Sequence, residues 1–122
     1  MRGKLDAFQR PRLQLRIRGP YGSTVFEAVV DTGFTGTLSL PPDVIQRLGL
    51  LRRNSRPMMA ADGQVRVVAT YAGEVAWGQG WMAVEVTAGF ISEALIGAGL
   101  LRGSELRVDY GPARSVEVRA SV

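Results

Sequence analysis

The residue types that could do chemistry converge on one stretch, Val29-Val30-Asp31-Thr32-Gly33-Phe34-Thr35-Gly36-Thr37-Leu38-Ser39-Leu40, where a carboxylate stands in a Gly- and Thr-rich loop between two apolar runs. An Asp that ends a strand and is followed by residues tolerant of tight turns is held on a rigid element with its oxygens facing a cleft. That mounting suits a general acid or base. It also suits an Asx-type turn, in which the side chain only satisfies neighbouring backbone N–H groups.

Composition narrows the chemistry around Asp31. The chain has no His and no Cys, which removes Ser-His and Cys-His catalysis, imidazole and thiolate metal sites, and disulfides. The only Lys is Lys4, which argues against a phosphate-binding Lys loop and a Schiff-base enzyme. Gly97-Ala98-Gly99 begins like a dinucleotide loop, but the third glycine of that pattern would fall at Arg102. An enzyme with this composition works through carboxylates, with no cofactor and no metal. The net charge is +4 and the basic residues other than Lys4 are Arg. No aromatic residues interleave with the Arg clusters and no recognition helix is apparent, so no nucleic-acid partner is expected. No apolar run approaches the ~18 residues of a membrane span, and the start Met1-Arg2-Gly3-Lys4-Leu5-Asp6 lacks a signal peptide's apolar stretch. The expectation is a soluble, cytoplasmic protein without a membrane partner.

The elements that must position Asp31 are mostly strands. Length, 122 residues, suits one domain with a single core. Residues 1–11 lack clear periodicity and read as a flexible N-terminal arm, leaving 12–122 as the domain. From Arg12, Leu13, Leu15 and Ile17 alternate with Gln14, Arg16 and Arg18, the pattern of a half-buried strand. A turn at 19–23 leads into a second strand, 24–30, which delivers Asp31. Pro41-Pro42-Asp43 opens a short helix that Gly49 ends. Residues 50–57 read as a basic connector. Asp62-Gly63 then marks a hairpin turn before a long strand through Trp77, and Trp81 to Thr87 alternates again. Ala88 to Glu93 reads as a loop, Ala98 to Arg102 as a short helix, and two last strands, 105–110 and 115–119, close the chain. The expected fold is all-β, a small closed β-barrel with one or two short helices.

Three features together resemble the retroviral-type (retropepsin-like) aspartic proteases, closest in pattern to the cellular relatives with one motif per chain. They are Val29-Val30-Asp31-Thr32-Gly33, the Ala61-Asp62-Gly63 segment where that family carries its flap, and the downstream Leu95-Ile96-Gly97. The resemblance implies an acid-protease barrel with one lobe per chain and an aspartic endopeptidase activity. It also implies roles: Asp31 catalytic, Thr32 and Gly33 supporting the catalytic loop, Ala61, Asp62 and Gly63 in a flap over substrate, and Leu95, Ile96 and Gly97 bracing the loop from behind.

Hydrolysis of a peptide by carboxylates needs two of them sharing a water, one ionised and one protonated. This chain has one Asp-Thr-Gly, so the second carboxylate is expected from another copy of the chain across a two-fold axis. The partners expected are thus a second copy and a peptide or protein substrate, with the hairpin between Glu105 and Arg119 as the main joint of the dimer. Two departures from the resembled family stand out: the flap tip is polar with a single Gly, and Phe34 replaces the small residue that usually follows the Gly. Two alternatives belong to other classes, a catalytically silent dimer that binds extended peptide segments and an Arg-rich binding module.

Overall fold

The computed structural model describes residues 1–60, 62–89 and 91–120. Ten strands form one sheet: β1 (Arg2–Leu5), β2 (Pro11–Gly19), β3 (Gly22–Val30), β4 (Leu38–Leu40), β5 (Leu51–Met59), β6 (Val65–Trp77), β7 (Gly80–Ala88), β8 (Ala94–Ile96), β9 (Ser104–Val108) and β10 (Ser115–Ala120). Their spatial order is β5-β6-β7-β4-β8-β3-β2-β1-β10-β9, and a further pairing of β6 with β2 closes six of them into a barrel. Two short helices, α1 (Pro42–Leu48) and α2 (Ala98–Leu101), are found among the described residues. The all-β barrel with two short helices is therefore the fold that the residue pattern implies. No helix among the described residues is long and apolar enough to cross a membrane.

The alternation in β2 does what period-two patterning predicts. Leu13, Leu15 and Ile17 are buried in the core, while Gln14 and Arg16 are exposed. They meet Ala28 and Val30 of β3, Leu38 and Leu40 of β4, Val86 of β7 and Ile96 of β8 inside the barrel. The proline in the first turn of α1, its Asp43 and the left-handed Gly49 at its end all match the sequence signals for that helix.

Two segments differ from the sequence reading. Within the expected flexible arm, residues 2–5 form β1, which lies between β2 and β10 with Gly3 opposite both Leu13 and Val116. Four residues are too short to show a period, and one of their two partner strands, β10, is distant in sequence. The expected connector 50–57 is instead mostly β5, paired with β6 from Leu51↔Ala72 to Met59↔Val65 with an irregularity between Arg52 and Asn54. Most of β5 is exposed, so no burial imposes alternation on it. The same holds at the start of β6, where Val65 and Val67 are exposed while Val68 and Thr70 further along are buried.

Candidate active site

Asp31 follows directly on β3, whose last residues pair in parallel with β8: Val29 with Leu95 and Val30 with Ile96. The Asp31 N–H donates to the Ile96 carbonyl at 2.9 Å, so the hydrogen-bonded ladder carries on through the residue that bears the carboxylate. The loop that follows is joined to the chain after β8 by further backbone bonds. Gly97 N–H donates to Thr37 C=O (3.0 Å), Ala98 N–H to Phe34 C=O (2.8 Å) and Gly99 N–H to Gly36 C=O (3.0 Å). A Cβ on Gly97 would overlap the Gly36 carbonyl oxygen and crowd the Phe34 ring. Only glycine permits this approach, which gives Leu95-Ile96-Gly97 a structural reason at its third position. Ile96 is fully buried, whereas Leu95 lines the cleft and is not purely a support.

Asp31 is half-buried, and its Oδ1 accepts the Gly33 N–H at 3.0 Å. One oxygen thus closes an Asx-type turn, and Oδ2 has no hydrogen-bond partner among the described residues. Thr32 is exposed, and its hydroxyl bonds to nothing within the described chain. Phe34 lies against Gly36 and Gly97, where an added Cβ at either position would strike its ring. The bulky residue after the motif is accommodated by two glycines beside it.

The Asp31 carboxylate faces a cleft of about 1310 Å³. Its floor includes Ser39, Thr87 and Leu95, and the β5–β6 hairpin forms one wall through Arg56 to Ala60. Asp62 also lines it, but as a turn-maker: its Oδ1 accepts the Gln64 N–H at 2.9 Å and its Oδ2 faces Arg66 at 3.4 Å. Gly63 donates its N–H to Ala60 C=O at 2.9 Å. Ala61 lies outside the described residues. The other carboxylate of the cleft, Glu85, is engaged by Arg56 at 2.5 Å. Asp31 is thus the cleft carboxylate without a cationic partner among the described residues.

A group missed by the sequence reading ties down the end of a segment that reaches the cleft. Asp6 Oδ1 accepts the N–H groups of Phe8 (2.8 Å) and Arg10 (3.0 Å), and its Oδ2 pairs with Arg10 (2.9 Å) and Arg12 (2.8 Å). Both guanidinium groups then reach Glu93, at 2.8 and 2.6 Å. Glu93 ends the segment that begins at Gly89, and Gly89 and Ile91 line the cleft. The network therefore ties the β1–β2 turn to a cleft wall 81 to 83 residues away. The Arg10 N–H, opposed by burial and reinforced by the Arg12 side chain, holds Asp6 far below the usual carboxylate range. Arg10 and then Arg12 hold Glu93 down likewise. Arg12, expected on a solvated face, is instead half-buried in these ion pairs.

No protein-family model and no curated protein sequence matches the chain. Among solved structures, the fold is similar to that of a retropepsin-like aspartic protease from Rickettsia conorii, with a TM-score of 0.71 and 16% sequence identity. The match covers 98% of this chain and 89% of that one.

Proposed function

Because the chain has the retropepsin-like fold, we propose that it is an aspartic endopeptidase that acts as a homodimer, with one Asp31 from each copy in a shared site. The observation that carries this reading is the state of Asp31: a carboxylate on a main-chain ladder, facing a large cleft, with one oxygen unspent and no ion pair among the described residues. Asp109 closes a like turn through its Oδ1 and the Gly111 N–H but does not line the cleft, so what supports a chemical task for Asp31 is its place there.

The mechanism follows from two such groups about 3 Å apart, which cannot both ionise. The ionised Asp31 takes a proton from a water held between them as the water oxygen attacks the peptide carbonyl carbon. The protonated Asp31 of the other copy gives its proton to the carbonyl oxygen. The tetrahedral diol then collapses: the first Asp31 passes the proton it took to the amide nitrogen, the second takes a proton from a diol hydroxyl, the C–N bond breaks, and an acid and an amine leave. Thr32, exposed and unbonded in a single chain, is available to bridge the two loops. The β5–β6 hairpin acts as the lid that excludes water, with Asp62 and Gly63 shaping its turn.

Dimerisation through 105–119 draws support from the sheet order. β9 is an edge strand whose outer main-chain groups have no strand beside them among the described residues, and such an edge accepts a strand from another copy. β1 and β10 are interior, so the N-terminal residues hold the same corner of the sheet.

The test is Asp31→Asn. Initial rates on a mixture of peptides across acidic to neutral pH should fall by at least about 10³-fold, with the circular dichroism spectrum and sedimentation unchanged. Cleavage at the wild-type rate would refute the assignment.

A further inference from the structure

Three hydroxyl residues form one row across the sheet, and two of them, Ser39 and Thr87, line the cleft. Thr70 of β6 is the register partner of Thr87 of β7, and Thr87 that of Ser39 in β4. Residues paired in this way share a face of the sheet, with Cβ atoms about 5 Å apart. The row continues into Leu95 of β8, beside the strand end that carries Asp31. All three hydroxyl residues are deeply buried, Ser39 and Thr87 at 5% exposure and Thr70 at 0%.

Buried hydroxyls ordinarily spend their hydrogen bonds on a neighbour, and these do not. Thr70 Oγ1 has no partner, and the Ser39 and Thr87 hydroxyls bond to no described residue while lining the cleft. Gly89 keeps the approach open, since a Cβ there would stand 2.5 Å from Ser39 Oγ. Glu85, the next residue on that face of β7, is already held by Arg56. The row is thus uncharged, largely buried, and open to the cleft at Ser39 and Thr87.

Such a surface discriminates by chemistry. An aliphatic side chain seated there would leave the hydroxyls unpaired, and a charged one would lose its water with no counter-charge in return. A carboxamide or hydroxyl can both give and accept hydrogen bonds, as each member of the row can. We propose that Ser39 and Thr87, with the buried Thr70 behind them, form a specificity-determining subsite that takes an uncharged hydrogen-bonding substrate side chain, Asn, Gln, Ser or Thr, close to the scissile bond. This rests on the peptidase reading above.

The experiment compares wild type, Thr87→Val and Ser39→Ala on a positional-scanning peptide library, with binding of the same peptides to Asp31→Asn as a second readout. At one substrate position Asn should exceed Leu, and Thr exceed Val, by at least about tenfold in kcat/KM. Thr87→Val should reverse that preference and leave the other positions as they were; if that variant does not fold, Ser39→Ala carries the same readout. Equal use of polar and aliphatic residues at every position, or a preference that survives both substitutions, overturns the subsite even if cleavage is robust. If nothing is cleaved yet the Asp31→Asn protein binds the polar peptides selectively, and adding Thr87→Val abolishes that selectivity, the subsite stands and the peptidase reading falls. No cleavage together with no selective binding overturns the subsite.

Discussion

The Asp31 loop and the β5–β6 hairpin face the same cleft and are held in different ways. The loop is bonded main chain to main chain, from Asp31 N–H to Ile96 through Gly99 N–H to Gly36, with glycines where backbones approach closely. The outer hairpin is exposed on nearly all of β5 and the first residues of β6. Beyond its own ladder it is tied through Arg56–Glu85, and Asp62–Arg66 secures its turn. Main-chain bonds in a packed setting are costly to break, whereas exposed ion pairs hold little. The difference teaches that the carboxylate is held by more main-chain bonds than the wall above it, a division that would suit the proposed reacting group under a closing lid.

The contrast can be broken most strongly from the rigid side. Gly97→Ala should cost about 1–3 kcal/mol, because the added Cβ must displace the Gly36 carbonyl or the Phe34 ring. Chemical denaturation would show the loss, and activity should fall with it as the loop shifts. An unchanged denaturation midpoint would mean that the loop is not packed as described.

A smaller effect is expected in the Asp6–Glu93 network. Asp6 and Glu93 both titrate below the ordinary carboxylate range when folded, so the unfolded chain binds more protons over the interval between. Their stabilisation is full above the unfolded pKa and disappears as pH falls through the depressed folded values. Wild type should therefore keep the Glu93 segment anchored under the mildly acidic conditions that suit a carboxylate pair. Glu93→Gln should lower Tm by a few degrees near neutrality, and the gap from wild type should close as pH falls through the lowered folded pKa of Glu93. A gap that is constant with pH would remove the ionic explanation.

The smallest change in stability is expected in the hairpin. Arg56→Gln should leave Tm where it is, since the pair is largely exposed, while KM rises severalfold because the lid loses an anchor to β7. A large fall in Tm would show that the hairpin is as rigid as the loop.

What could be read from residues alone divides along the same line. The Asp31 setting, the alternation of β2 and the proline-started α1 are local patterns, each reporting burial or turn chemistry within a few residues. β1 and β5 were not legible, the first because Arg2–Leu5 is shorter than any useful period, the second because Leu51–Met59 buries almost nothing. The Asp6–Arg10–Arg12–Glu93 network joins residues more than 80 apart, and only the Asp6 turn had a local signal. The hydroxyl row did leave a trace. Ser39 sits between two leucines and Thr87 between Val86 and Ala88, single polar residues in apolar strands whose meaning appears only when the strands are set side by side.

The central claim is that two copies of Asp31 make one site, and mixing tests it most directly. Wild-type and Asp31→Asn chains, combined in equal amounts and allowed to exchange subunits, form dimers of which about a quarter carry two intact carboxylates. If both are required, specific activity should fall to about a quarter of that of pure wild type and follow the square of the wild-type fraction. Activity that falls only to about half, in proportion to that fraction, would show each chain working alone and would contradict the shared site.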